Sequence, residues 1–420
     1  MKRPVLFLII FIFASGPVWG AEEISLTLEE AVAIALRDNR DVLLKAEDLR
    51  KAQEKVREAQ AGLLPTLNFT GSWTETRGLY AKDSSQTATQ ATLKQYLYKG
   101  GKTVNAIRQN KHKEEVSAAL LDKVRLETTL SVKKAFYTLI LARELASLNK
   151  AIADNTQEHL DFTRERYKSG QSSESDIRNI EASLSGVQQA YLESLNQAEL
   201  SLNLLNNLLY LDDDTKIKPK AELNYQPMEV AYDAAFLQAM KSRPEIRQYE
   251  AQVQADKKAI EIAKADTRPS IYASWDYYSR SHIAATTSRN WNDYNVIGLT
   301  FSWPIFDGWA TKAKVGQAIV DLKQTQLLKE KTIKDIAREL KDAYLSLNNA
   351  IAGIESAEAE LGVYGDNLST VQQKYSQGVA SLLDMHDTDL KYSVSAFNKK
   401  ESVYDYIIAK SDFDKAMGGL

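Results

Sequence analysis

The chain carries the same plan twice. "ALRDNRDVLLKAE", from Ala35, aligns with "AMKSRPEIRQYEA", from Ala239, and the same offset of 204 residues carries Pro65 onto Pro269 without a gap. Downstream the offset is 208, which places Gly100 on Gly308, Ala135 on Ala343, Tyr167 on Tyr375, Gly170 on Gly378 and Asp176 on Asp384. A repeat of this length means two structural units of one design. The one change of length, four residues between the paired prolines and the paired glycines, belongs at a loop tip, where insertions are tolerated.

Each half predicts a helix, a strand pair, a very long helix, a turn and a further helix. The first repeat covers 21–211: a helix opened by the capping box Thr27-Leu28-Glu29-Glu30, with a break near Asn39 and a stop at Pro65, then strands over about 65–76 and 89–99. A long helix over about 101–168 and a second over about 172–210 complete it. Residues 212–232 are expected to link the repeats. The second repeat, 233–420, has a helix from about Asp233 to Arg268, strands over about 269–279 and 294–306, a long helix over about 309–376 and a last helix over about 380–417.

Lys102 to Lys168 contains neither proline nor glycine, and at about 1.5 Å per residue 67 helical residues reach roughly 100 Å, too long for an ordinary globular domain. Its counterpart holds Gly316, Gly353, Gly362 and Gly365, which predicts bending or local loosening. Val132, Ala135, Leu139, Ala142 and Ala146 follow coiled-coil spacing, and Leu340, Ala343, Leu347, Ala350 and Ile354 repeat it. The alanines predict close backbone approach.

In "PTLNFTGSWTE" the residues Leu67, Phe69 and Trp73 alternate with Thr66, Asn68, Thr70, Ser72 and Thr74, giving one apolar and one polar, uncharged face. "PSIYASWDYY" repeats the alternation, with Ile271, Ala273, Trp275 and Tyr277 on the apolar side. The returning strands add Ala91, Leu93 and Leu97, and Leu299, Phe301, Trp303 and Ile305. Strands of about ten residues cross an outer membrane at a tilt, and Trp73, Trp275, Trp291 and Trp303 lie where interfacial girdles need them. Four strands cannot close a barrel, and an open edge in lipid leaves backbone groups unpaired. Two copies barely suffice, whereas three give twelve strands and a lumen, so the chain is expected to be a homotrimer in contact with outer-membrane lipid.

Composition fits an exported protein. The first twenty residues place Lys2 and Arg3 before an apolar run from Val5 to Ala14, then small residues suited to signal-peptidase cleavage. Removing them would leave 51 basic residues against 56 acidic ones, a balance that speaks against nucleic acid. The absence of cysteine excludes disulfides, thiolate metal sites and a lipid-modified cysteine anchor. Beyond the leader, no apolar run is long enough for a membrane helix.

"YLYKGGKT" ends like a phosphate-binding loop, but Tyr96 stands where that loop requires its first glycine, so Gly100 and Gly101 are read as strand-to-helix turns, as is Gly308. His112, His159, His282 and His386 have no metal-ligand spacing, and "LDDDT" at 211–215 reads as a solvated turn. No nucleophile and base can be paired. The chain is expected to be no enzyme, with no metal and no cofactor.

"NRDV" and "RPEI", Pro304-Ile305-Phe306-Asp307-Gly308, and the paired tips "RYKSGQSSESD" and "KYSQGVASLLD" together resemble the TolC-like outer-membrane efflux proteins, through both halves of the chain. That resemblance implies a mainly α fold with transmembrane β: a trimeric twelve-stranded barrel continued by a twelve-helix periplasmic α-barrel. It implies an outer-membrane exit duct of a tripartite efflux or type I secretion system, docking with a periplasmic adaptor and an inner-membrane pump. It assigns Tyr375 and Asp176 to a link that closes the entrance, and Asp384 and Asp387 to carboxylate rings that favour cations. The adaptor-docking tips would be Tyr167, Gly170, Ser172 and Ser173 in one hairpin, and Gly378, Val379 and Ser381 in the other. Ala380 stands where a second latch would need arginine, and His386, between the two aspartates, would sense mild acid. The competing reading is a periplasmic coiled-coil scaffold or receptor-like protein whose strands form a soluble sheet.

Overall fold

A computed structural model describes residues 23–79, 82–226, 231–284 and 290–419, so the expected leader lies outside the described residues. In chain order the elements are β1 (Glu23–Leu26), α1 (Leu28–Asp38), α2 (Arg40–Ala61), β2 (Thr66–Leu79), β3 (Lys82–Lys99), α3 (Lys102–Lys168), α4 (Glu174–Leu209) and β4 (Lys216–Pro219). The second half follows with α5 (Tyr232–Ser242), α6 (Pro244–Lys264), a 3-10 turn (Ala265–Thr267), β5 (Ser270–Ala284), β6 (Asn290–Ser302), α7 (Ala310–Ser376) and α8 (Leu382–Met417). No described helix is long and apolar enough to cross a membrane.

The chain divides into two compact units. The first comprises the chain up to Ala35, Val132–Asn224 and Ala357–Tyr404; the second comprises Leu36–Ser131, Tyr225–Ser356 and the chain from Asp405 onward.

In the first unit the seam of α3 is buried as its spacing predicts: Val132, Ala135, Leu139, Ala142 and Ala146 are all inside. Phe136 and Leu139 pack with Ala31 and Ala35 of α1 and with Leu202, Leu205 and Leu209 of α4. The Thr27 capping box forms, with Glu30 N–H donating to Thr27 Oγ1 at 3.2 Å and Thr27 N–H to the Glu30 carboxylate at 2.8 Å.

The expected linker holds more structure than the sequence reading gave it. β1 and β4 pair in parallel from Glu23↔Lys216 to Leu26↔Pro219, burying Leu26 and Ile217, and Arg143 Nη2 donates to the Ile217 carbonyl at 2.7 Å. Strands of four residues are too short to show a period. Asp212, Asp213 and Asp214 are exposed in a turn that Asn206 Nδ2 holds by donating to the Thr215 carbonyl at 2.9 Å, in line with a solvated turn.

The second unit contains the sheet. The break near Asn39 forms as expected, with the Asn39 side chain accepting from Asp41 N–H at 2.9 Å. Its counterpart corrects the sequence reading of one helix from Asp233 to Arg268, because Pro244 forces Arg243 into an extended conformation (φ −62°, ψ 124°) between α5 and α6. The long helix α7 runs unbroken through Gly316, Gly353, Gly362 and Gly365.

All four strands of the sheet outrun their expected limits. β2 continues to Leu79, β3 begins at Lys82, β5 continues to Ala284, and β6 begins at Asn290. The added residues, such as Ser84 to Thr87, lack apolar alternation, so only the backbone ladder marks them as strand. β6 stops at Ser302 because Pro304 has no N–H to give the ladder. The sheet order is β2-β3-β5-β6, antiparallel throughout, and the β3·β5 ladder joins the two repeats.

Arg243, 2% exposed, holds the end of α8 to this unit. It donates to the Lys415 carbonyl at 3.0 Å and to Glu339 at 2.7 Å, contacts Glu245 at 3.1 Å, and Lys415 pairs with the same Glu339. Removing one member of a buried ion cluster strands the others, so Arg243→Ala should cost about 3–5 kcal/mol, whereas Arg37→Ala at the exposed Arg37–Asp38 pair should leave stability nearly unchanged. Denaturant titration of the purified variants, followed by circular dichroism, measures the difference.

Candidate functional site

Alternation along each strand gives the sheet two chemically distinct faces. Register aligns Leu67, Leu93, Trp275 and Ile297 in one row across all four strands, with Phe69, Ala91 and Tyr277 in the next. These large side chains are not covered: Leu67 is 69% exposed and Ile297 84%. Leu299 and Phe301 extend the apolar rows toward the helices, while Trp73 and Trp291 stand in one row toward the loops, separated on β6 by Asn295 and Asp293.

The other face is polar and internally bonded. Thr92 Oγ1 donates to Asp276 at 2.6 Å, Gln90 Nε2 to Asp276 at 3.2 Å and to the Tyr278 hydroxyl at 3.0 Å, and Ser274 to Asp276 at 3.2 Å. Tyr278 stacks on Tyr294 at 4.9 Å, with the Arg280 guanidinium over both rings. Lys94 lies 3.8 Å from the Tyr272 ring centre. Every residue of this cluster belongs to a position that the sequence pattern assigns to the polar side.

Glycines turn strand into helix where expected. Gly100 and Gly101 have φ +60° and +82°, and a Cβ at Gly100 would meet Arg268 Cβ at 2.8 Å. In the second repeat Gly308 takes φ +66°, but the place of Gly101 is held by Trp309 at φ +68°, a conformation unfavourable to a bulky residue. Its ring packs edge-on to Phe306 at 5.9 Å, with Lys312 Nζ 5.2 Å away. Asp266 ties the starts of both long helices, bonding Lys102 at 2.6 Å and Lys314 at 3.0 Å; those two bonds hold its carboxyl below the usual range.

The two helix-hairpin tips are built alike. Gly170 and Gly378 adopt φ +75° and +74°. Around the first, Gly170 N–H donates to the Tyr167 carbonyl at 2.9 Å and Gln171 N–H to the Arg166 carbonyl at 2.8 Å. Around the second, Gly378 donates to Tyr375 at 2.9 Å and Val379 to Lys374 at 2.8 Å. Both are Schellman ends in which only glycine takes the left-handed position without strain.

Each following helix starts with a capping box. Asp176 N–H donates to Ser173 Oγ at 3.2 Å while Asp176 Oδ2 accepts from Ser173 N–H at 2.9 Å and Ser172 Oγ at 3.1 Å. Asp384 N–H donates to Ser381 Oγ at 3.1 Å while Asp384 Oδ2 accepts from Ser381 N–H at 3.0 Å and Ser381 Oγ at 2.7 Å. The backbone and hydroxyl bonds of Ser173, with Ser172, lower the Asp176 carboxyl, and the hydroxyl and backbone bonds of Ser381 lower Asp384. Sequence reasoning gave these aspartates gate and ring roles and missed the caps, which the repeated Ser-x-x-Asp spacing announces.

No hydrogen bond joins Tyr375 to Asp176 within the single chain; the Tyr375 side chain is 41% exposed and its hydroxyl has no partner among the described residues. Asp387, Val379, Ser381 and Tyr167 are exposed, Ser172 and His386 half-buried. A missed pairing closes the first tip: Arg164 of α3 donates to Glu181 of α4 at 2.8 Å, beside Phe162, whose ring lies under Arg166.

The family model described as "Outer membrane efflux protein" matches residues 31–209 and 236–419. The outer membrane protein TolC of Escherichia coli K12 is 22% identical over 408 residues, covering 91% of this chain and 80% of that protein. The alkaline protease secretion protein AprF of Pseudomonas aeruginosa is 21% identical, covering 91% and 84%. The crystal structure of the Campylobacter jejuni CmeC outer membrane channel superposes with a TM-score of 0.79 at 18% identity, over 99% of this chain and 94% of that one.

The tip caps should respond to acid in one direction. Both folded carboxyls lie below the ordinary aspartate value of 3.8, so their stabilisation is present above that value and is lost as pH falls through the depressed folded value. The Ser173 and Ser381 amides, which donate to these carboxylates, should stay protected from hydrogen exchange between neutral pH and pH 4, and lose protection below it. Ser173→Ala and Ser381→Ala, which delete the hydroxyl acceptors, should instead weaken protection of the Asp176 and Asp384 amides at neutral pH, at about 1 kcal/mol per cap.

Proposed function

Because the chain belongs to the outer membrane efflux protein family, we propose that it is the exit duct of a tripartite efflux or type I secretion system, gated at its periplasmic tips. The chain is a TolC-like outer-membrane protein with a periplasmic extension, which suits that task. The observation that carries the reading is the two-faced sheet: a row of Leu67, Leu93, Trp275 and Ile297 exposed on one side, a bonded polar network on the other, and two open edges. An apolar face of this kind suits lipid, and the polar face suits a water-filled lumen.

Three copies would supply twelve strands and leave no edge in the hydrocarbon. At the periplasmic end, the matched tips would dock an adaptor joined to an inner-membrane pump. Tyr167, Gly170, Ser172, Ser173, Gly378, Val379 and Ser381 form the surface it would meet. Asp387, with Asp384 behind it, would ring the entrance with carboxylates and favour cations. The Tyr375 hydroxyl, without a partner among the described residues of one chain, would donate to the Asp176 oxygen of a neighbouring copy that the capping box leaves open.

A duct should fractionate with outer membranes and conduct ions in planar bilayers, whereas a periplasmic scaffold should leave the cell in osmotic-shock fluid. Aqueous probes attached along residues 66–74 should reach alternate positions only. Tyr375→Phe removes a charge-assisted bond of about 1.5–3 kcal/mol, so channel open probability should rise roughly ten-fold or more. An unchanged open probability rules out that latch.

A further inference from the structure

The polar face of the sheet carries more cationic than anionic charge. Along the paired register β2 and β6 bring no charged residue to it, whereas β3 and β5 bring Lys94, Lys99 and Arg280 against one carboxylate, Asp276. Asp276 is occupied by Thr92, Gln90 and Ser274, and among the described residues none of the three cations pairs with a carboxylate. Each lies beside tyrosine instead. Lys94 Nζ is 3.8 Å from the Tyr272 ring centre and 4.8 Å from that of Tyr96, with Lys99 Nζ 4.6 Å from Tyr96. Tyr96 and Tyr272 meet edge to face at 5.5 Å. About 20 Å along β5 from Tyr272, the Arg280 guanidinium lies 5.2 Å from Tyr278 and 5.9 Å from Tyr294, two rings that stack at 4.9 Å. Lys99, Arg280 and Tyr294 are exposed and Lys94, Tyr96 and Tyr272 half-buried, so water reaches both clusters.

These contacts hold the cations in place without neutralising them, because a ring face attracts a cation through its quadrupole and carries no net charge. An anion with an aromatic ring of its own satisfies both partners at once. It gives the ammonium or guanidinium a counter-charge and gives the tyrosine a ring to stack on. A cation is repelled, an aliphatic anion meets only the charge, and a neutral ring meets only the tyrosine. We propose that the polar face holds two stations for small aromatic carboxylates or sulfonates, one at Lys94, Lys99, Tyr96 and Tyr272 and the other at Arg280, Tyr278 and Tyr294. The stations deepen the duct reading by naming a class of cargo, and they rest on the closed barrel that makes this face a lumen wall.

The chain contains no cysteine, so a single introduced thiol reports without background. On the polar face Thr300 lies opposite Tyr272, and Asn292 opposite Arg280. In the full chain carrying Thr300→Cys, purified and reconstituted into vesicles, benzenesulfonate should slow modification of the thiol by the small neutral reagent methyl methanethiosulfonate roughly five-fold. Methanesulfonate, which has the charge without the ring, and benzenesulfonamide, which has the ring without the charge, should leave the rate within about two-fold. Lys94→Gln with Lys99→Gln, and separately Tyr272→Leu, should each raise the benzenesulfonate concentration needed for half-protection roughly five-fold. The same comparison at Asn292→Cys, with Arg280→Gln and Tyr278→Leu, is independent of any folding defect at the first station. Absent protection by benzenesulfonate at both thiols, equal protection by either control compound, or protection that survives both the charge and the ring substitutions overturns the stations while leaving the duct intact. A membrane-impermeant maleimide that labels Phe301→Cys, on the apolar face, as readily as Thr300→Cys overturns the lumen wall on which they rest.

Discussion

The demand of backbone N–H and C=O groups for hydrogen-bond partners governs this fold. In water an edge strand satisfies that demand with solvent; in hydrocarbon each unsatisfied group costs several kcal/mol. A four-stranded sheet with its apolar rows exposed and both edges open is stable in lipid only if its edges find other strands. The two-faced pattern and the need for copies are thus one constraint seen in two directions. The helices face no such demand, because an α-helix satisfies its own backbone, and their seams rely instead on alanine to bring neighbouring backbones close.

Much of the architecture was legible because duplication shows every feature twice. Pro65 and Pro269, the paired glycine turns and the alanine seams were read correctly, since each has a local cause that survives without tertiary context. Where one copy diverged, the reading weakened. Asn39 announces a helix break through its capping side chain, but at Arg243 the break comes from the following proline, and the residue's role in clamping Glu339 and Lys415 is made by partners about a hundred residues or more away. Trp309 shows the reverse: the left-handed turn survived the loss of Gly101's equivalent, so the requirement lies in the junction rather than in the residue type.

β1 and β4 were invisible for a different reason. Parallel strands of four residues, joined across almost two hundred positions, are too short to carry a periodic signal, and only Ile24, Leu26 and Ile217 pack against the core. The distal ends of all four strands escaped similarly, because beyond the row of Trp73 and Trp291 the strict apolar alternation lapses. Apolar alternation covers only part of each strand, whereas backbone pairing continues beyond it, so the apolar stretch of a strand is shorter than the strand.

At the tips, two carboxylates to which the sequence reading gave gate and ring roles also cap helices. Asp176 and Asp384 each bond the start of their own helix, and that use is local, independent of neighbours and formed in a single chain. A latch built on such a carboxylate therefore has only its second oxygen to offer. This limits its strength, because donors already on the carboxylate draw charge from the oxygen that remains. It also fixes the aspartate in place, so that under the proposed latch a tyrosine from another copy would meet an acceptor with one orientation. A gate that opens on docking would need contacts that are individually weak yet well oriented, and a capping aspartate would supply both properties from one residue.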